Sequence, residues 1–288
     1  MFFVMRKSKI IIAFTVILTV VVAILCQTAG VSSEVKGELL RLPVVMYHSV
    51  QKNKMGEYVI TKEQFENDLK TIAENGYTTV NTEDIINYVE KGEELPKKCI
   101  MLTFDDGHYD NLYYAQPLLE QYGMRASVFI VGEYTDIDTN QSEVNPNYSY
   151  LTWQHIAEMS AKGIFEIQNH SYDMHKVKGR RHGAQKAKGE SDEEYIVKLT
   201  QDLQRLQDAV YDAIGKYPTA FAYPLGAVDK KSIVALKSAG IKVSFNSYKG
   251  VSYIEKGNPD SLYYIKRVVR SGKKSGNDTV LELLEKSN

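Results

Sequence analysis

Short apolar segments that alternate with amphipathic helical segments constrain the fold of this chain more than any other feature of its sequence. Residues 100–104 and 126–131 are predicted to be buried strands, with a helix between them. Buried strands that are joined by helices form parallel βαβ units. About seven such units in the roughly 245 residues from Leu42 onward favour an α/β fold with one closed barrel over two separate domains.

The expected boundaries follow from hydrophobic periodicity and from helix capping. Capping boxes begin two of the helices, at Thr61 and at Ser191, where side chains satisfy the first free N–H groups. The predicted strands are residues 42–47, 100–104, 126–131, 163–167, 220–223, 243–245 and 263–269. The predicted helices are residues 61–75, 82–89, 111–122, 152–161, 191–214, 229–238 and 277–285.

Composition excludes several other classes of protein. The 288 residues carry 35 Lys and Arg against 36 Asp and Glu, and 43% are hydrophobic, which is an ordinary globular balance. A net charge of -1 argues against a nucleic-acid partner. Cys26 and Cys99 are the only cysteines, so a disulfide scaffold is excluded.

The N-terminal segment differs in character from the rest of the chain. Three basic residues within the first nine precede a chargeless apolar run over residues 10–26, a pattern typical of a signal peptide or a membrane anchor. We therefore expect residues 1–30 to engage the membrane or the export machinery, and residues 31–41 to be a short linker. Residues 42–288 are expected to form one exported, monomeric barrel domain. It would be extracellular or on the cell surface, and anchored if the segment is not cleaved.

In a parallel barrel, catalytic groups lie just after the carboxyl ends of the strands, and three segments of this sequence meet that condition. The first, Thr-Phe-Asp-Asp-Gly at residues 103–107, ends the most apolar predicted strand. Adjacent carboxylates disfavour joint ionisation unless a cation is near. A metal ion bound by Asp106 would supply this cation, and Asp105 would stay free to act as a base. A simple Asp-Asp-Gly turn is the alternative.

The second segment places His170 and His175 in the loop after the predicted strand 163–167. Histidines five residues apart do not share one face of a helix, but a loop can direct both to one ion. Together with Asp106 they provide two imidazoles and one carboxylate, a set that leaves coordination positions open for water and substrate. Burial of each histidine in the core is the alternative.

The third segment is Tyr-Pro-Leu-Gly at residues 223–226, which again follows a predicted strand. Proline fixes the local backbone, and glycine permits unusual dihedral angles. Such a turn can direct the backbone N–H of Leu225 toward a developing oxyanion. An ordinary turn from strand to loop is the alternative explanation.

These three segments together resemble the polysaccharide deacetylases, the NodB-homology group of carbohydrate esterase family 4. The resemblance extends from about Leu42 to the C-terminus. It implies a distorted (β/α)7 barrel of the NodB-homology type and a metal-dependent N-deacetylase. It also implies that Asp106, His170 and His175 bind a divalent metal ion, with zinc as the first choice and cobalt, nickel or iron as alternatives.

Three departures from the usual family pattern are informative. The second histidine follows the first by five residues rather than four, Phe221 and Ala222 replace the arginine that is common before the third segment, and no late Leu-x-His sequence occurs. These features resemble one branch of the family, the poly-N-acetylglucosamine deacetylases. In that branch the acid histidine lies in an N-terminal strand, and His48 occupies the corresponding place.

The resemblance implies catalytic roles for three groups. Asp105 would act as the base, His48 as the acid, and the N–H of Leu225 as an oxyanion donor. The expected reaction is hydrolysis of N-acetyl groups from an N-acetylglucosamine-containing cell-surface polysaccharide, with release of acetate. Two alternatives stay open: a non-catalytic envelope protein that binds sugar on the same barrel, and a non-haem iron oxygenase that uses the same Asp and His ligands.

Aromatic and basic residues near these segments are candidate substrate contacts. A tyrosine offers both a flat face and a hydroxyl to a sugar. Tyr109, Trp153, Tyr223 and Pro224 are therefore predicted to contact substrate, with packing in the core as the alternative. The loop of residues 176–188 contains six Lys or Arg, which would either meet an anionic polymer or stay solvated.

Overall fold

The structure, a computed structural model, describes residues 37–179, 181–274 and 278–285. The predicted signal peptide or membrane anchor, residues 1–30, lies outside these described residues. Within the described ranges, no helix combines the length and the apolar character that crossing a membrane requires.

A parallel sheet organises the described part of the chain. Its strands and the shorter ones beside it are β1 (Leu39–Leu42), β2 (Val44–Tyr47), β3 (Ser49–Gln51), β4 (Val59–Thr61), β5 (Thr78–Thr79), β6 (Cys99–Phe104), β7 (Ala126–Ile130), β8 (Phe165–Asn169), β9 (Ala220–Ala222), β10 (Val243–Phe245), β11 (Ser252–Glu255) and β12 (Val268–Val269). Neighbours in the main sheet follow the order β10-β9-β8-β7-β6-β2-β12, and each of these pairings is parallel. The predicted parallel α/β fold is confirmed.

The sheet closes on itself through the segment that leads into β12. Ile265 forms a parallel bridge with Phe245 at the end of β10, while β12 itself pairs with β2. The same segment therefore joins the two edges of the sheet, and the predicted distorted (β/α)7 barrel is confirmed. The strand predicted over residues 263–269 is interrupted, because Tyr264 has a φ of 62°, which extended backbone does not allow.

Helices connect the strands. They are α1 (Lys62–Glu74), α2 (Thr82–Lys91), α3 (Gln116–Gln121), α4 (Gly132–Thr139), α5 (Trp153–Lys162), α6 (Asp192–Ile214), α7 (Ser232–Ser238) and α8 (Asp278–Glu285). Both capping boxes are present, since the side chains of Thr61 and Ser191 accept the N–H groups of Gln64 and Glu194. Each box begins its helix where the sequence predicted it.

Some boundaries differ from the prediction for local reasons. The helix predicted over residues 111–122 is divided into a π-helical turn, Asn111–Ala115, and α3, because Pro117 has no N–H to continue the α-helical hydrogen bonds. Pro43 separates β1 from β2, where one strand was expected. Residues 39–41, assigned to the linker, belong to β1, so the folded part begins earlier than the predicted start at residue 42.

The strand that leads into the site is completely buried. All six residues of β6 are inaccessible to solvent. The Phe104 ring packs against Tyr47 and Phe165, with ring centroids 5.1 and 5.3 Å apart. Full burial of one such ring contributes about 2 kcal/mol to stability. These contacts hold the carboxyl end of β6 in a fixed position relative to β2 and β8.

Candidate active site

A cavity of about 440 Å³ lies where β2, β6, β8 and β9 end. All three segments that the sequence singled out contribute to its wall, and His48 does so as well. Each contributing segment directly follows its strand, which is where a parallel barrel carries its catalytic groups. The lining residues are Met46, His48, Tyr58, Asp105, Asp106, His170, His175, His182, Tyr223, Leu225, Gly226, Ser247, Arg267 and Val269.

A larger cavity of about 570 Å³ lies at the other end of β8, and two of its charged side chains are already engaged within the fold. Glu166 accepts the N–H of Thr82 at 2.8 Å. Lys242 pairs with Glu90 at 2.6 Å. Because these groups serve a helix start and a surface ion pair, we assign the functional site to the smaller cavity.

Asp105 is paired with Arg267, and both side chains are buried. The guanidinium donates two hydrogen bonds of 2.7 Å, one to each carboxylate oxygen. Its Nε also donates to the carbonyl of Asn246 at 3.1 Å. Burial raises the pKa of Asp105, but the guanidinium of Arg267, together with the nearby His170 and His48, more than offsets this effect, so the pKa lies below its usual value. Asp105 is therefore ionised at neutral pH and fixed in orientation.

Arg267 was not singled out in the sequence. The arginine that is common before the third segment is missing from this chain, and the structure supplies one from the segment that closes the barrel. The sequence did contain an indication that Arg267 has a buried partner, because Arg267 lies between Ile265 and Val268 in a predicted buried strand. A cation in such a strand needs a buried partner, and Asp105 is that partner.

Asp106, His170 and His175 converge at one side of the cavity, and we refer to these three residues as the ligand cluster. Oδ1 of Asp106 lies 3.5 Å from Nε2 of His170 and 3.2 Å from Nε2 of His175. Asp106 has a φ of 73°, a conformation that is uncommon outside glycine and often occurs at functional sites. Burial raises the pKa of Asp106, but the three nearby imidazoles, of His108, His170 and His175, hold it well below its usual range. The carboxylate is therefore charged.

The hydrogen bonds of the two imidazoles leave Nε2 free to bind a metal ion. Nδ1 of His170 lies 2.8 Å from the carbonyl of Ala222; because a carbonyl only accepts, Nδ1 carries the proton. Nδ1 of His175 lies 3.2 Å from the hydroxyl of Tyr134, which donates to the His175 carbonyl. Among the described residues, the buried Oδ1 of Asp106 has no hydrogen-bond partner. Two nitrogen lone pairs and one carboxylate oxygen directed at one place fit a divalent cation.

The loop between the two histidines is held by Asp202 from α6. Its carboxylate accepts the N–H groups of Tyr172 and Asp173, at 2.8 Å each. Burial raises the pKa of Asp202 to about 6. Asp173 itself pairs with Lys176 at 2.5 Å rather than with a histidine. The five-residue spacing of the histidines is therefore supported by a helix outside the loop.

His48 lies in the same cavity, directly after β2. The preceding carbonyl, of Tyr47, accepts a 3.0 Å hydrogen bond from the N–H of Asp105. The imidazole packs against the ring of Tyr58, with ring centroids 4.7 Å apart. Burial lowers the pKa of His48, and the nearby carboxylates only partly offset this effect. Its imidazolium is thus a stronger acid than an exposed one, which suits donation of a proton.

Within the described residues, the backbone hydrogen bonds of the turn after β9 do not involve the N–H of Leu225. Leu225 has a φ of 59°, a left-handed conformation that costs a non-glycine residue about 1 kcal/mol. The hydrogen bond that closes the turn is donated by Gly226 to the carbonyl of Tyr223, at 3.0 Å. A Cβ atom on Gly226 would collide with Oγ of Ser247. Only glycine therefore permits this close approach at the cavity wall.

The residues predicted to contact substrate are mostly placed elsewhere. Tyr109 stacks on a histidine of α5, with ring centroids 4.5 Å apart, and the indole N–H of Trp153 donates to a carboxylate of α4 at 2.8 Å. Neither lines the cavity. Pro224 is buried, and Tyr223 directs its hydroxyl to Ser232 at 2.5 Å. Of the four residues predicted to contact substrate, only Tyr223 lines this cavity, while Tyr109 and Trp153 are partly buried against the core.

The loop of residues 176–188 borders the cavity through His182, which the sequence did not single out. Three of its basic residues, Lys176, Arg181 and Lys186, pair with carboxylates at 2.7, 2.6 and 2.7 Å. Arg180 lies outside the described residues. Since these pairs neutralise much of the loop's positive charge, its attraction for an anionic polymer is reduced.

The fold and the cavity define a parallel α/β barrel in which three side chains at the strand ends could hold a metal ion. Residues 92–244 match the sequence profile of the family described as polysaccharide deacetylase. This match spans more than half of the 288 residues. The chain therefore belongs to the polysaccharide deacetylase family.

Individual proteins of this kind resemble the chain over most of its length. It is 26% identical, over 232 residues, to the poly-beta-1,6-N-acetyl-D-glucosamine N-deacetylase of Staphylococcus aureus strain MRSA252, covering 78% of this chain and 72% of that protein. A solved de-N-acetylase from Aggregatibacter actinomycetemcomitans superposes with a TM-score of 0.70 at 25% identity, covering 84% of this chain and 99% of that chain. IcaB from Ammonifex degensii shows the same fold. It superposes with a TM-score of 0.69 at 22% identity, covering 88% of this chain and 98% of that chain.

Family membership confirms the predicted enzyme class. The protein is a hydrolase of the polysaccharide deacetylase type, which acts on N-acetyl amide bonds. Deacetylases of carbohydrate esterase family 4 depend on divalent metal ions, and the ligand cluster provides a matching set of side chains. The oxygenase alternative would favour an all-β fold, and the parallel α/β barrel contradicts that expectation.

Proposed function

We propose that the protein removes N-acetyl groups from an N-acetylglucosamine-containing polysaccharide at the cell surface and releases acetate. The observation that carries this proposal is the presence, in one cavity, of the ligand cluster, the Asp105–Arg267 pair and His48. The name of the Staphylococcus aureus relative supports poly-β-1,6-N-acetylglucosamine as the first polymer to test.

Each step of the proposed reaction uses a group in the cavity. A divalent ion held by the ligand cluster, zinc in our proposal, would act as a Lewis acid and lower the pKa of a water molecule. Asp105, which is ionised and fixed by Arg267, accepts the proton of the attacking water. The N–H of Leu225 donates to the acetamide oxygen as negative charge develops there. His48 donates a proton to the departing nitrogen, so that the products are a free amino sugar and acetate.

The protonation state of His48 limits this reaction at high pH. His48 has to carry an additional proton when the carbon–nitrogen bond breaks, because an amine anion is too unstable to leave. The lowered pKa makes the imidazolium a good donor but reduces the fraction of His48 that is protonated. Asp105, in contrast, has to be deprotonated, and its lowered pKa meets that requirement.

We also propose that residues 1–30 direct export or anchor the chain, and that the barrel beyond the short linker acts as a single monomeric domain outside the cell. The chargeless run over residues 10–26 supports this proposal. N-terminal sequencing of the exported protein would establish whether the segment is cleaved. Analytical ultracentrifugation of the barrel domain would test the monomer.

Acetate release tests the enzymatic proposal directly. The purified protein is incubated with poly-β-1,6-N-acetylglucosamine, peptidoglycan and chitin oligomers, with and without a chelator, and metals are then added back. We expect release from at least one polymer, its loss on chelation, and its recovery with zinc, cobalt, nickel or iron. His170→Ala is the control that removes one ligand. Full activity after chelation would contradict the metal role, and no release by the metal-loaded protein would contradict the substrate class.

A further inference from the structure

The imidazole of His48 lacks the support that usually orients a catalytic histidine. Within the part of the chain that the structure describes, its Nδ1 is buried and has no hydrogen-bond partner. A carboxylate or carbonyl on Nδ1 normally fixes the orientation of such a ring. The ring does contact Tyr58, but that side chain is itself 54% exposed. Much of the orientation of His48 must therefore come from its backbone.

The backbone that begins at His48 is tied to two buried side chains, Asp110 and Asn111. Nδ2 of Asn111 donates a 2.8 Å hydrogen bond to the carbonyl of His48. Asp110 accepts the N–H of Val50 at 3.1 Å and the hydroxyl of Ser49 at 2.5 Å. Asn111 also donates to Asp110 at 2.9 Å, so the two side chains act together. They hold three consecutive residues of the chain, of which His48 is the first.

Further contacts make this connection stiff. Nε2 of Gln51 donates to Asp110 at 2.7 Å and to the carbonyl of Pro146 at 2.9 Å. Asp110 and Asn111 are 1% and 0% exposed. A hydrogen bond to a charged group is stronger than one between neutral groups, and a buried network of such bonds resists small displacements. The segment after β2 therefore cannot move without breaking several buried hydrogen bonds.

The same two residues also continue the chain segment that carries the base. Asp110 and Asn111 follow Asp105 and Asp106 in one turn, in which the N–H of Asn111 donates to the carbonyl of His108 at 3.1 Å. At the other end of this turn, the N–H of Asp105 donates to the carbonyl that precedes His48. The two segments are thus joined on both sides of the reacting groups.

We propose that Asp110 and Asn111 are positioning residues that hold His48 where it can protonate the leaving nitrogen. This inference rests on the proposed function, in which His48 is the acid. Neither residue lines the cavity, so neither is expected to touch the substrate. Their removal should displace His48 and leave Asp105 and the ligand cluster in place, because Arg267 and Ala222 hold those groups independently.

The leaving group provides a readout that separates this role from general structural support. An amide loses an amine, which has to be protonated as it departs. An aryl acetate loses a phenolate, which is stable without protonation because the pKa of a phenol is about 10. Both substrates need the base and the oxyanion donor. Only the amide needs the acid.

The experiment compares amide and ester hydrolysis in the full-length, metal-loaded protein. Rates are measured on an N-acetylglucosamine oligomer and on 4-nitrophenyl acetate, with Asp105→Asn as the background. General acid catalysis contributes about a hundredfold or more. We expect kcat of His48→Ala to fall by about that factor on the amide, and kcat of Asn111→Ala by about tenfold with little change in KM. Ester hydrolysis should fall less than threefold in both variants, as a rough limit.

A conservative variant and a matched control make the test specific to the positioning role. Asp110→Asn has nearly the same shape and keeps one acceptor, so it should fold and show a smaller selective loss. Gln207→Ala is the matched control, because Gln207 is a buried amide that donates to two backbone carbonyls, at 2.8 and 2.9 Å, away from the cavity. It should change the amide and ester rates by the same factor. Zinc content is measured for every variant and should not change.

The outcomes separate the inference from the proposed function. Equal loss of both activities in His48→Ala would show that His48 is not the acid, and the proposed mechanism would fail with it. A selective loss in His48→Ala, combined with equal losses in Asn111→Ala and Asp110→Asn, would leave the mechanism intact and overturn the positioning role. Selective loss in all three variants, against an equal change in Gln207→Ala, supports the inference.

Discussion

Replacement of Arg267 by methionine tests how the structure prepares Asp105 as a base. The two side chains are 1% and 3% exposed and are joined by two hydrogen bonds of 2.7 Å. Methionine retains much of the apolar stem but leaves the carboxylate without its cation. Breaking one side of a buried ion pair costs about 3–5 kcal/mol. For a domain of this size, that corresponds to a fall in Tm of about 6–20 °C.

The substitution should also change the pH dependence of activity. In the native protein Arg267 is the main group that opposes burial, and with His170 and His48 it keeps the pKa of Asp105 low. Without Arg267, burial dominates and the pKa rises, so a larger fraction of the base is protonated at neutral pH. The acid limb of the kcat/KM profile should therefore move to higher pH. At neutral pH kcat should fall by about a hundredfold, with partial recovery as the pH is raised.

Arg270→Met is the matched control for this experiment. Arg270 and Asp68 form an equally buried pair, with both side chains inaccessible and a 2.7 Å contact, but neither lines the cavity. We expect a similar loss of stability without a shift in the pH profile. Arg267→Lys, which keeps the charge but not the two-pronged geometry, should be intermediate. Coincident pH profiles for Arg267→Met and Arg270→Met, after correction for the folded fraction, would refute the reasoning.

Three further predictions concern the base, the oxyanion turn and the histidine loop. Asp105→Asn should abolish acetate release but retain bound metal; joint loss of both would count against its role as the base. Gly226→Ala should lower kcat more than about tenfold with metal content unchanged, because the new Cβ displaces the turn, and full activity would contradict this. Burial raises the pKa of Asp202 from 3.8 to about 6, so the folded state binds more protons between these values and stability should fall as the pH rises through them. The effect is at most about 3 kcal/mol, and chemical denaturation at several pH values should show it in the wild type but not in Asp202→Asn.

The sequence was informative wherever a property depends on neighbouring residues. Strand and helix periodicity, with the capping boxes at Thr61 and Ser191, predicted the alternating α/β order and the closed barrel. In a parallel barrel, catalytic groups follow the carboxyl ends of the strands. This rule pointed to the strand ends that carry the cavity residues. Boundaries were less certain where a single residue changes the local backbone, as Pro43, Pro117 and Tyr264 do.

Only the tertiary structure decided which distant residues meet. Arg267 contacts Asp105 across 162 residues of sequence, and Asn111 supports His48 across 63. Closure of the barrel brings these segments together, and no local sequence pattern predicts such long-range contacts. The direction of a side chain depends in the same way on what packs against it, which is why Trp153 binds a neighbouring helix instead of lining the cavity. The sequence determined the elements and the residue types at their ends, because these follow from short-range periodicity, while the packing of the whole barrel determined which of those residues share a site.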